Sequence, residues 1–79
     1  MAHALVGVEC RFAADGTVDV SRVFLDGRWQ PVGQGRQWAD RQGRHVLVML
    51  EGHRPRELLL RSDTTTWELR PLGPEQALV

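Results

Sequence analysis

Seventy-nine residues carrying ten arginines, no lysine, ten carboxylates and zero net charge describe one small domain. A chain of this length buries only somewhat more than ~60% of the surface it exposes when unfolded, so large side chains and subunit association are its two routes to buried area. Balanced charge excludes the basic excess of many nucleic-acid binders, the single Cys10 excludes an intrachain disulfide, and no apolar run nears the ~20 residues of a membrane-spanning helix.

Lys, Asn, Ile and Tyr are all absent, and their shared AT-rich codons point to a high-GC bacterial genome rather than to arginines chosen for a ligand. With one cysteine and no charged leader ahead of an apolar run, the chain is expected to be soluble, unprocessed and cytoplasmic. The charge is unevenly spread: residues 21–44 hold Arg22, Arg28, Arg36, Arg41 and Arg44 against Asp26 and Asp40, a modest basic middle.

"ALVGVECRF" alternates, with Val6, Val8, Cys10 and Phe12 on one face, and reads as a half-buried strand. "AADG" turns the chain at Gly16, and "TVDVSRVFL" resumes the alternation through Val18 and Val20. Arg22 then stands where an apolar residue is due, and Val23 and Leu25 follow one step out of phase, which predicts a bulge near Ser21 and Arg22. Asp26-Gly27 between "RVFL" and "RWQPV" predicts a tight hairpin with a type I′ turn, and Pro31 places its strand at a sheet edge or end. "GQGRQWADRQG" shows no clear period and is expected to be a long connection with an irregular or helical turn around Trp38 to Arg41.

"RHVLVMLE" is apolar on both faces and is expected to be a central strand. "EGHRPRE" turns the chain, "LLL" with its flanks makes another strand, "RSDTTT" turns again, and "TWELR" alternates before Pro71 and Pro74 end regular pairing. The reading is all-β: a small antiparallel meander of five to six strands curling into a barrel or roll over residues 1–73, with a C-terminal tail at 74–79. Trp29 and Trp67 are assigned to the core, while Trp38 is divided between core and solvent.

No catalytic set emerges. Gly33 and Gly35 begin a dinucleotide-loop pattern, but its third glycine would fall on Trp38, and no lysine exists for a Walker motif. His3, His45, His53 and Cys10 lack metal-ligand spacing, so neither a metal nor another cofactor is expected. Ser21 and Ser62 lack a nucleophile elbow, and His45 and His53 are expected in solvent. What remains is aromatic plus basic: Arg28, Arg36, Trp38, Arg41 and Arg44, with Trp29 nearby, could stack exposed bases while arginines meet phosphates.

The order "DGRWQPV", "RQW", "HVLVM", "ELLL" and "WELR" resembles a family of small β domains found mainly in high-GC bacteria. It also looks like the C-terminal segment of the mutasome accessory protein related to Y-family DNA polymerases. The resemblance covers about residues 20–71 and places Trp29, Trp38 and Trp67 on the family's aromatic positions, while "ADRQGR" stands where the family has a Trp-rich stretch. It implies a non-catalytic β module working beside DNA-repair machinery. The function expected is therefore a binding or adaptor module that self-associates as a homodimer or contacts a protein partner, through the edge near Pro31 and residues 33–43. The alternative is weak binding of single-stranded nucleic acid through the Trp/Arg segment.

Overall fold

A computed structural model describes residues 4–52 and 54–72; His3, His53 and the expected tail at 74–79 lie outside them. Alternation and turn chemistry divide the described chain into β1 (Ala4–Phe12), β2 (Val18–Leu25), β3 (Arg28–Pro31), β4 (Gly33–Ala39), β5 (Gly43–Leu50), β6 (Arg54–Arg61) and β7 (Trp67–Pro71). The fold is all-β, as expected, with seven strands rather than five or six. They form one antiparallel sheet in the order β3-β2-β1-β7-β6-β5-β4, curled into a half-barrel.

Two sequence signals act as read. Asp26 and Gly27 take φ of 54° and 79°, the paired positive values of a type I′ turn, and Leu25 faces Arg28 across it. In β2 the register passes from Glu9↔Arg22 to Cys10↔Val20, so Ser21 is the extra residue of a bulge. The bulge keeps Val18, Val20 and Val23 all inside, although 20 and 23 differ by an odd step.

The hydrophobic core fills the inner face of the curl with Val18, Val20, Val23, Val46, Val48, Leu50, Leu58 and Leu69. Trp67 packs against it from β7, as assigned. Trp29 does not: it lies on the outer face, 44% exposed. The two-residue turn dictates this. Val23 faces inward and pairs with Gln30, so Gln30 points in and Trp29, opposite Phe24, must point out.

Residues 33–39, expected to be a connection, form strand β4 against β5. Gln34 faces Val48 and Gln37 faces Val46, so Gly35 and Arg36 together oppose Leu47 in a second bulge. That extra residue spaces the inward side chains by three instead of two and erases the alternation a strand normally shows. β5 is an interior strand, paired with β4 on one side and along its whole length with β6 on the other, and Met49 on its outer face is exposed. Gly33, its cross-strand partner, offers no side chain to cover it. Gly43 enters β5 at φ 143°, where an added Cβ would lie 1.9 Å from the Leu60 carbonyl oxygen, so only glycine fits.

The two ends of the sheet meet without a continuous backbone ladder. Val32 donates its N–H to the Ser21 carbonyl at 3.2 Å. Beyond it, the Gln34 amide accepts from the Val20 N–H at 2.7 Å and donates to the Val18 carbonyl at 2.9 Å. The Gln37 amide accepts from the Val18 N–H at 2.9 Å and donates to the same carbonyl at 2.8 Å. Each glutamine thus supplies a donor and an acceptor, as a neighbouring strand's peptide group would. Gln34→Ala and Gln37→Ala are each expected to lower the unfolding free energy by about 1–3 kcal/mol, the usual cost of leaving buried backbone groups unpartnered. Urea denaturation measures this. The double variant is expected to depart from additivity, because both amides share Val18.

Candidate functional site

The outer face of the sheet carries three groupings. The first surrounds His45 on β5. His45 pairs with Trp38 across β4 and with Leu59 across β6, and its ring stacks on Trp38 with centroids 4.9 Å apart and planes 1° apart. Its side chain is buried, against the expectation of solvent. The aromatic cross-strand partner and the sequestered Glu57 one register step away account for the difference. Nδ1 lies 2.5 Å from Glu57 Oε2 and Nε2 lies 2.9 Å from Asp40 Oδ1. Both ring nitrogens thus face a carboxylate oxygen, one on each side of the imidazole.

From Glu57 the charges continue across the sheet. Arg70 Nη1 lies 3.9 Å from Glu57 Oε2, Arg70 Nε 3.5 Å from Glu68 Oε1, and Arg61 Nη1 donates to Glu68 Oε2 at 3.2 Å and Nη2 to Asp63 at 2.7 Å. Opposite charges alternate along the whole line, so each sequestered ion has a counter-ion. Asp40 is held below its ordinary carboxyl value chiefly by the hydrogen bond from His45, and Asp63 is held at about 2 by the hydrogen bonds from Arg61.

An imidazole beside a carboxylate invites an acid–base reading. Both ring nitrogens of His45 are already engaged by carboxylates, leaving neither free to take a proton from a substrate. The two serines are also committed elsewhere: Ser62 Oγ donates to the Arg41 and Gln42 carbonyls, and Ser21 Oγ to Glu9. Among the described residues no group of three His, Cys, Asp or Glu side chains could hold a metal ion.

The second grouping is aromatic and lies on β1, β2 and β3. Phe24 and Trp29 meet edge to face, with centroids 5.4 Å apart and planes at 65°. Gly7 is their floor: a Cβ there would lie 3.3 Å from Phe24 Cβ and 3.5 Å from Trp29 Cη2, so a larger residue would push the rings off the sheet. Arg22 lies 5.5 Å from the Trp29 ring centroid and is held by Glu9, with Nη2 to Oε2 at 2.7 Å. That contact and the Ser21 hydroxyl lower the Glu9 carboxyl to about 2. Leu5, on the same face of β1, is exposed. The third grouping is an apolar trough of about 320 Å³ lined by Gly33, Gly35, Leu47, Met49 and Pro55, among others.

The residues singled out from sequence do not converge on one site. Arg36 and Trp38 do meet, with the guanidinium carbon 5.0 Å from the ring centroid. Arg41 is exposed in the turn next to β4. Arg28 lies apart, tied to Glu51 at 2.6 Å, and Arg44 is on the inner side, donating to Gln37 Oε1 at 3.0 Å. Size alone sends Trp29 to the core and hides its pairing with Phe24; the two-residue turn after Leu25, which sets its face, is the sequence signal that reveals it. Comparison with protein-family models, curated proteins and solved structures finds no match to the chain.

Glu9, Asp40 and Asp63 all release their protons more readily folded than unfolded. Their contribution to stability is full above the ordinary carboxyl values of 4.5 for Glu9 and 3.8 for the aspartates, and is lost as pH falls toward about 2, where Glu9 and Asp63 titrate when folded. The thermal midpoint is therefore expected to fall across that window, and Glu9→Gln with Asp63→Asn to flatten the fall. An unchanged slope in the double variant would remove these two carboxylates from the account.

Proposed function

We propose that this protein is a non-catalytic binding module that contacts a protein partner, its own copy first, through the outer face running from Phe24 and Trp29 to the Gly33–Gly35 trough. The carrying observation is the exposed aromatic pair, seated on a rigid sheet over Gly7 and bordered by the Arg22–Glu9 ion pair. Protein interfaces concentrate their binding energy in such features: aromatic and arginine anchors over a firm base with a polar rim.

A homodimer about a two-fold axis needs a surface that complements itself. Here a ridge, Phe24 and Trp29, and a trough, Gly33, Gly35, Leu47 and Met49, occupy the same side of one continuous run of chain, because Trp29, Pro31 and Gly33 alternate outward with Gln30 and Val32 inward. Beside the aromatic pair Arg22 is already matched by Glu9, so that end of the face brings no net charge against a second copy. The resemblance of residues 20–71 supplies the setting in which we place the module, beside DNA-repair machinery. Single-stranded nucleic acid would use Trp38 as its stacking surface, and that ring is already engaged by His45 and Arg36, which favours the protein partner.

Sedimentation velocity is expected to show a concentration-dependent monomer–dimer equilibrium. Trp29→Ser is expected to shift it toward monomer by at least tenfold in Kd, with an unchanged far-ultraviolet spectrum, because the ring is not part of the core. Gly35→Val, which fills the trough from the other side, is expected to do the same. A wild-type chain that stays monomeric at millimolar concentration would overturn the self-association.

A further inference from the structure

A separate cleft opens where the β2–β3 and β5–β6 turns come together at one mouth of the curl. It encloses about 340 Å³ and is lined by Leu25, Asp26, Gln30, Leu50, Glu51, Arg54 and Arg56. Barrel mouths are frequent ligand sites, and this volume lies at the small end of their ~300–1,000 Å³ range. Its unusual feature is where β6 puts its arginines. Leu58 belongs to the core, and strand alternation carries Arg56 and Arg54 onto the same inner face, opposite Val48 and Leu50. Charged side chains therefore continue the row that the core begins.

Arg56 is half-buried, and its Nε donates to the Arg70 carbonyl at 3.4 Å. Among the described residues neither of its Nη atoms, nor any nitrogen of the Arg54 guanidinium, has a hydrogen-bond or ion-pair partner. The carboxylates nearby do not relieve this. Glu51 is taken by Arg28 at 2.6 Å, which among the described residues of the lining leaves Arg54 and Arg56 against Asp26, an excess of one positive charge. Gln30 is held in place by its amide's donation to the Leu25 carbonyl at 3.0 Å. Leu25 and Leu50 supply the apolar part of the lining.

We propose that this mouth binds a small monocarboxylate with a short branched apolar body. The planar carboxylate matches the donor fork of a guanidinium, one negative charge balances the excess, and the hydrocarbon rests on Leu25 and Leu50. Inorganic phosphate, carrying about one and a half charges at neutral pH, exceeds that excess, and a polyanion would meet Asp26 and Glu51 at the rim. The site does not depend on the outer face used for self-association, so either can fail without the other.

The test is titration of the full chain with isobutyrate, acetate and inorganic phosphate at low ionic strength, followed by ¹H–¹⁵N spectra of backbone and arginine Nε–H groups. Saturable shifts at Leu25, Gln30, Arg54 and Arg56 with isobutyrate, weaker binding of acetate, and weakest of phosphate are expected. Arg56→Gln is expected to weaken isobutyrate at least tenfold and Arg54→Gln several-fold, while Arg11→Gln, exposed on β1, leaves it unchanged. Arg54 is exposed, so its variant retains the fold if Arg56→Gln does not. Shifts that never saturate, phosphate binding as tightly as isobutyrate, or isobutyrate affinity unchanged in both Arg54→Gln and Arg56→Gln would overturn the assignment.

Discussion

The edge of β2 at Val18 and Val20 is the constraint on which the rest of the molecule depends. β3 pairs with β2 only from Arg22 to Leu25, so the backbone groups of Val18 and Val20 on that side need partners that no strand supplies. Gln34 and Gln37 reach across and satisfy them with side-chain amides. The requirement propagates outward. Both glutamines must face in, and a strand with alternate side chains inward would present 34 and 36, or 35 and 37, but not 34 and 37. The bulge at Gly35 and Arg36 resolves the conflict, and it also opens the glycine trough and sets Arg36 on the same outer face as Trp38. Closure of the curl and the character of the outer surface thus have one origin.

The parts of the fold legible in the sequence were those with short-range causes. Asp26-Gly27 demands its turn, the phase slip at Ser21 announces its bulge, and residues 4–12 form β1 with Val6, Val8 and Cys10 turned to the core as read, while Phe12 at its end is exposed. β4 was illegible because its period is broken by a residue whose reason lies in another strand. His45 was misplaced for a similar cause: a histidine at the start of an apolar strand reads as solvent-facing, and only the pairing with Trp38 and the approach of Asp40 and Glu57 make its burial tolerable. Trp29 is a different failure, since turn length and the inwardness of Val23 together determined its side.

The candidate surface was legible only in part, for a physical reason. Tryptophan is the largest apolar side chain available to a small core, and size alone sends it inside. In this chain the three tryptophans have three distinct environments. Trp67 packs on the core, Trp38 is half-buried between His45 and Arg36, and Trp29 stands on the surface with Phe24. Composition treats them alike, while register separates them.

The arginines divide on similar grounds, and their partners show which of them are spoken for. Arg22, Arg28 and Arg61 close ion pairs at the surface, where such contacts contribute little to stability but hold side chains in place around other features. Arg70 belongs to the alternating line that lets Glu57, Glu68 and His45 be withdrawn from water. Arg54 and Arg56 have neither role, although their strand brings them to the inner face beside the core. A guanidinium in that position keeps its donors unsatisfied unless water or an anion reaches it, and an anion, unlike water, also answers its charge. In a chain without lysine, arginine content by itself signals nothing; the informative residues are those whose surroundings leave the charge unanswered.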